Sequence, residues 1–179
     1  TVQFNAIISF KKNKKSNSAV DSLKKCNPKY ETNKAFQENC QRCAPTYEMR
    51  RRGYDVIAKG KYLKYDPLAG DYTIVWDDPI YIQCTVSNGK DEIEKYMRDF
   101  GNGARVEIGI KWKDKPQEGH VFVAEQTDGK TVYYDPQSGV ENCEDYFDQA
   151  LDGGTSFVRT DNAKPNALIY ECCEEWKND

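Results

Sequence analysis

The stretch from Gly119 to Gly139, GHVFVAEQTDGKTVYYDPQSG, constrains the fold more than any other part of the chain. Two strand-like runs flank Asp128-Gly129, the strongest short-range signal for a two-residue hairpin turn. With that turn, Phe122 faces Asp135 and His120 faces Gln137. Side chains alternate with period two, so His120 and Asp135 share one face as diagonal neighbours, about 5–8 Å apart before side-chain reach. His120 is the one histidine in 179 residues. A histidine beside a carboxylate on one sheet face is a base with its orienting group. The pair lacks a nucleophile.

Upstream, Asn39–Gly53 reads as one helix of about three turns. Asn39 suits the N-cap, Arg50–Arg52 suit the negative C-terminal end, and Gly53 suits the residue beyond it. Pro45 conflicts with this pattern, because proline is comfortable only in a first helical turn. Either the first turn is loose or the regular helix begins nearer Arg42. Cys40 follows the cap directly. A thiolate works best at a helix N-terminus, where the dipole and free N–H groups lower its pKa and stabilise an oxyanion. Cys40 as nucleophile, His120 as base and Asp135 as orienting carboxylate form an acyl-transfer set. Cys43 competes for the first role. As a small buried residue it is inert, but a later helix start moves it toward the N-terminus. Gln37 and Asn39 are oxyanion donors or caps, and Gln137 lines the site or simply closes a strand.

The Cys40-x-x-Cys43 pair also admits metal and redox readings. A structural zinc site needs four ligands, commonly from two such knuckles. No second CxxC exists, Cys172 and Cys173 are adjacent and chelate poorly, and one histidine adds little. A thioredoxin-like pair needs a βαβ context that the polar segment before Asn39 does not supply. Neither metal nor cofactor is expected.

With 26 Lys and Arg against 29 Asp and Glu, the net charge is −3. The basic footprint of a nucleic-acid binder is missing, since Lys11–Lys15 and Arg50–Arg52 are small clusters offset by acidic segments. Arg50–Arg52 read as a solvated helix end, with one of them pairing a core carboxylate. Mean hydropathy is −0.87, and no apolar run approaches the roughly 20 residues that span a membrane. Nucleic acid and membrane are therefore not expected as partners. Thr1–Phe10 has no basic region ahead of a long apolar one, so no signal peptide is expected. A chain that opens on Thr1 suggests a piece of a longer protein. Seven cysteines, an odd number, fit a reducing compartment with a free thiol better than a full disulfide framework.

Along the chain, Val2–Phe10 reads as a strand and Ala19–Lys25 as a short helix ended by Asn27-Pro28. Tyr54–Ala58 is a strand, and Lys61–Val86 is extended segments broken at Asp66-Pro67, Ala69-Gly70 and Asp78-Pro79. Asp91–Phe100 is a helix with Ile93, Tyr96, Met97 and Phe100 on one side, and Ala104–Trp112 is an alternating strand. Asn142 caps a helix Cys143–Leu151, Ser156–Thr160 is another strand, and Ala167–Trp176 fits either state. Trp76, Trp112 and Trp176 are candidates for core or cleft wall. One domain with a helical first part and a mostly antiparallel sheet is α+β.

Several blocks fall in a characteristic order: Asn27-Pro28-x-Tyr30; Asn39-Cys40-Gln41-Arg42-Cys43 running into Tyr47–Ala58; Gly103-Ala104-Arg105; Gly119-His120-x-Phe122-x-Ala124-Glu125; and Asp135-Pro136-Gln137-Ser138-Gly139. Together they resemble the papain-fold toxin family of bacterial polymorphic toxins (the Tox-PL, glutamine-deamidase-like group). The resemblance implies a papain-like fold, with the nucleophile helix packed on the sheet and Cys40, His120 and Asp135 as triad. It implies one catalytic domain over residues 1–179, at the C-terminal end of a longer protein delivered from a bacterium or phage particle. Its partners would be a target protein in the target-cell cytosol and an immunity protein in the producer. The implied reaction is cysteine-dependent deamidation of a protein glutamine through a thioester. The same triad supports papain-like proteolysis or transglutamination, and a Cys40 sulfur out of reach of His120 would indicate a non-catalytic binding module.

Overall fold

The computed structural model describes residues 8–177 except 14, 63 and 69. Its elements open with α1 (Ala19–Cys26), a 3₁₀ turn (Lys34–Phe36), α2 (Cys40–Arg51), β1 (Val56–Ala58), β2 (Trp76–Asp77) and β3 (Tyr81–Gln83). Then follow α3 (Lys90–Phe100), β4 (Arg105–Lys111), β5 (Gly119–Thr127) and β6 (Lys130–Tyr134). A second 3₁₀ segment (Glu144–Gln149), β7 (Ser156–Arg159), β8 (Lys164–Pro165), α4 (Ile169–Cys172) and β9 (Cys173–Glu175) complete the chain. The main sheet has the order β3-β7-β4-β5-β6 and is antiparallel throughout. The fold is α+β, as expected.

The hairpin at Asp128-Gly129 forms in the expected register. Thr127 pairs with Lys130 and Val123 with Tyr134. Asp128 and Gly129 have φ of 50° and 75°, the doubly positive turn whose twist matches the flanking strands. The ladder ends at Tyr134, however, so the facing pairs expected beyond it do not form. Pro136 has no N–H to continue the ladder. Asp135 instead bridges Val140, and its side chain accepts the Gln137 N–H at 3.0 Å.

Alternation divides the sheet into two faces. Val106, Ile108, Ile110, Phe122, Ala124 and Phe157 pack against Ile93 and Met97 of α3 and against Phe147. On the opposite face Val121 and Val123 meet Cys43, Ala44 and Tyr47 of α2, with Leu23 of α1 behind them. α2 is therefore central, and Arg42 through Arg50 are all buried. Such a helix is ordinarily apolar all round, whereas this one carries charges that must be paired. Arg42 makes a bidentate pair with Asp66 at 2.8 and 2.9 Å. Glu48 accepts from Arg52 at 2.7 Å and from Arg105 at 2.7 and 2.9 Å.

This corrects the reading of Arg50–Arg52 as a solvated end, while the expected pairing of one of them with a core carboxylate is present at Arg51. Arg50 donates to the Val56 carbonyl at 2.8 Å and faces Asp21 and Asp55. Arg51 pairs with the buried Glu125 at 2.6 and 3.1 Å, and Glu125 also accepts from Tyr47 Oη at 2.6 Å. Arg50 is buried, and Arg51 and Arg52 are half-buried with their guanidinium groups on buried carboxylates. Gly53, with φ of 96°, ends the helix as expected.

Other departures are local. Among the described residues of 61–86 the chain is mostly irregular, keeping only β2 and β3, and Ala69 of the expected Ala69-Gly70 break lies outside them. The segment after Asn142 winds as 3₁₀ rather than α-helix, with Asn142 Oδ1 accepting the Glu144 N–H at 3.2 Å. That tighter winding leaves Phe147 in the core and Tyr146 beside His120. Ala167–Trp176 resolves into both alternatives, α4 and then β9, which pairs with β1. Most of Val2–Phe10 lies outside the described residues, and Ile8–Phe10 is not strand. Among the described residues no helix is long and apolar enough to cross a membrane.

Candidate active site

Cys40 is the first residue of α2, so the helix starts at the cap despite Pro45. In the first turn the Asn39 carbonyl accepts both the Arg42 N–H at 2.8 Å and the Cys43 N–H at 3.0 Å. Asn39 caps only through its backbone. Its side-chain amide donates to Asn27 Oδ1 at 3.1 Å and to the Lys59 carbonyl at 2.9 Å. That corrects its reading as a side-chain cap or oxyanion donor, since both amide protons are engaged in tying loops to the helix start.

The half-buried Cys40 thiol meets the His120 imidazole at the start of β5 and the Val121 N–H beside it. A Cβ at Gly119 would strike the Ile110 carbonyl, so glycine lets β5 enter this corner. His120 Nε2 faces Asp135 Oδ2 at 3.1 Å, which leaves Nδ1 for the sulfur. Burial alone would raise the Cys40 pKa, but hydrogen bonding and charge from His120 outweigh it and hold the thiol below its usual range. Burial alone would lower that of His120, but Asp135 and Cys40 raise it to about 10. His120 is thereby held protonated through neutral pH, and the lowering at Cys40 favours a thiolate beside it, as does the positive end of the α2 dipole.

Asp135 is almost fully buried. Burial pushes its pKa up, yet His120, Tyr146 and Ser138 together bring it below the usual carboxylate range. Oδ2 accepts from Ser138 Oγ at 2.9 Å and from Tyr146 Oη at 2.7 Å. The Tyr146 ring also stands edge-on to His120 at 5.6 Å between centroids, and Trp112 stacks on the imidazole at 6.0 Å. Sequence reasoning missed Ser138 and Tyr146 and left Trp112 undecided. Ser138 lies three residues from Asp135 in a turn, the one local signal available. Trp76 is core and donates to Glu107 at 3.1 Å, while Trp176 is at the surface.

Cys43 is fully buried. Burial, then the Cys26 thiol, pushes its pKa well above the usual value, and its Sγ donates to Asn39 Oδ1 at 3.2 Å. A thiol kept protonated, and so a poor first nucleophile, is what this environment dictates. Gln37 is exposed and donates to the Tyr30 carbonyl at 3.1 Å, while Gln137 is buried, with Nε2 3.5 Å from Asn39 Oδ1. Both line, with Cys40 and His120, a cleft of about 1520 Å³. Small-molecule pockets run to about 300–1,000 Å³, so this one has room for a polypeptide segment. Tyr72 covers Gly109 on the cleft floor, where a Cβ would come within 2.5 Å of the ring. Among the described residues no group of three or more His, Cys, Asp or Glu is placed to hold a metal ion.

A thiol, an imidazole and a carboxylate linked in series at a helix N-terminus are the parts of acyl-transfer chemistry. The model of one protein family matches residues 38–140, more than half of the chain and inclusive of all three side chains. The chain belongs to the family papain fold toxin 1, glutamine deamidase. No curated protein and no solved structure gives a significant match. Within this papain-fold family the match begins two residues before Cys40 and ends at Val140, the bridge partner of Asp135.

Proposed function

We propose that this toxin-family chain is a single catalytic domain that deamidates a glutamine side chain on a target protein, with Cys40, His120 and Asp135 as its triad. The observation that carries the reading is the serial contact from Cys40 through His120 to Asp135, at 3.1 Å for the second link. Cys40 thiolate attacks the carboxamide carbon. The developing oxyanion lies at the start of α2, where the first N–H groups of a helix have no intrahelical partner. Gln37, at the cleft edge, is a second donor once it leaves Tyr30. His120 gives its proton to the departing nitrogen, the C–N bond breaks, and ammonia leaves a thioester. His120 then takes a proton from water, the hydroxide attacks the thioester carbon, and glutamate and free thiol result. Asp135 stabilises the imidazolium throughout and holds its tautomer.

The cleft volume supports a protein substrate over a free amino acid. In the producer, an immunity protein covering this cleft would protect resident targets.

Incubating target-cell extract with the protein should release ammonia and convert a glutamine of one extract protein to glutamate. Cys40→Ala should lower that rate by roughly 10⁴-fold or more. An active Cys40→Ala protein would sink the assignment, and cleaved fragments without ammonia would replace deamidation by proteolysis.

A further inference from the structure

The reaction above uses only half of the Cys40-Gln41-Arg42-Cys43 motif. Cys40 is half-buried on the cleft, whereas Cys43 lies fully buried one turn along α2. Helix geometry puts their Cα atoms about 5 Å apart, inside the roughly 4.4–6.8 Å that a disulfide spans. In a regular α-helix the Cβ atoms at this spacing are still about 5–6 Å apart, wider than the roughly 3.5–4.5 Å a disulfide needs.

Two features of this first turn favour closing the gap. The Asn39 carbonyl is shared between the Arg42 N–H, a 3₁₀-type bond, and the Cys43 N–H, an α-type one, so the turn is part-way to the 3₁₀ winding that brings side chains at i and i+3 into line. Pro45 has no N–H for the Gln41 carbonyl, so the first turn is partly untied from the second and can tighten. Cys43 already turns toward that end, with its Sγ on Asn39 Oδ1.

We propose that Cys40 and Cys43 form a redox-active dithiol that takes a low-molecular-weight disulfide as oxidant and closes into a Cys40–Cys43 disulfide. The inference rests on Cys40 being the reactive thiol of the proposed reaction. Cys40 thiolate attacks one sulfur of the small disulfide, the S–S bond breaks, and the first small thiolate leaves with the proton held by His120. Cys43 then attacks the Cys40 sulfur, and the second small thiolate leaves with the Cys43 proton. Two protein thiols are oxidised to one disulfide while one small disulfide is reduced to two thiols. The division of labour follows the environments: the outer sulfur is ionised and attacks first, and the buried one resolves. The closed form masks the nucleophile, so the domain would be inactive in oxidising surroundings and active once reduced.

The test is to incubate the purified protein with oxidised glutathione, alkylate with iodoacetamide, and map the cysteine peptides by mass spectrometry. The expected wild-type product joins Cys40 to Cys43, lacks two hydrogens and loses Cys40 alkylation by roughly tenfold or more. Dithiothreitol should reverse it. In Cys43→Ala, oxidation should stop at a Cys40–glutathione adduct. A lasting Cys40–glutathione adduct in the wild type overturns the proposal but keeps Cys40 as the reactive thiol. So does a link from Cys43 to Cys26, whose thiol donates to the Cys43 carbonyl at 3.2 Å. Modification of neither Cys40 nor Cys43 overturns both this inference and the thiolate reading beneath it.

Discussion

At its N-terminal end α2 presents Cys40 to an open cleft, over a first turn that Pro45 leaves partly unbonded. At its C-terminal end the same helix is pinned by Arg50, Arg51 and Arg52, which reach Asp55, Glu125 and Glu48. Charge serves opposite purposes at the two ends. At the first, in the proposed reaction, a thiolate and an imidazolium exchange a proton. At the second, ion pairs with fixed partners hold the helix against the sheet. The contrast suggests that a helix fixed at its far end tolerates a loosened and reactive near end.

The largest effect should come from breaking the fixed end. Glu48 is buried and serves Arg52 and Arg105 together. Glu48→Ala leaves both guanidinium groups without their carboxylate and should cost about 3–5 kcal/mol, a large share of a typical stability of about 5–15 kcal/mol. Urea unfolding measures it, and a loss under about 1 kcal/mol would contradict the anchoring role.

A smaller effect is expected at the reactive end. Tyr146→Phe keeps the ring beside His120 but removes one donor to Asp135 Oδ2. A hydrogen bond to a charged group contributes about 1.5–3 kcal/mol. Because the folded state depresses the Asp135 pKa, this contribution is fully present above the ordinary value of 3.8 and fades as pH falls through the folded-state value. The variant should therefore be less stable than wild type at neutral pH, with the gap closing in acid. A gap that stays constant between neutral pH and strong acid would show that the hydroxyl does not act on the ionised carboxylate.

The two ends also differed in how legible they were. Asp128-Gly129 set the hairpin register from local turn chemistry, and that register brings His120 and Asp135 to one face. The span of α2 followed from Asn39 and Gly53, both local signals. The partners of Arg50–Arg52 were not readable, because Glu125 lies 74 residues from Arg51 and no periodicity links them. Their charges resembled a solvated helix end for the same reason. Ser138 and Tyr146 converge on Asp135 only after the ladder breaks at Pro136, an irregularity that a strand pattern does not encode. Asn39 was recognised as the residue before the helix, but its side chain is spent on Asn27 and Lys59, which approach only in the folded chain.

The central claim is that Cys40 and His120 stand as thiolate and imidazolium. Since His120 is the one histidine in the chain, a pH titration of its ring resonances by NMR reports a single group. The imidazole should stay protonated through neutral pH and lose its proton only as pH rises to about 10. Cys40→Ala should lower that midpoint, because the thiolate's share of the stabilisation is gone. A wild-type midpoint near the ordinary 6.5, unmoved by Cys40→Ala, would contradict the ion pair and the reaction built on it.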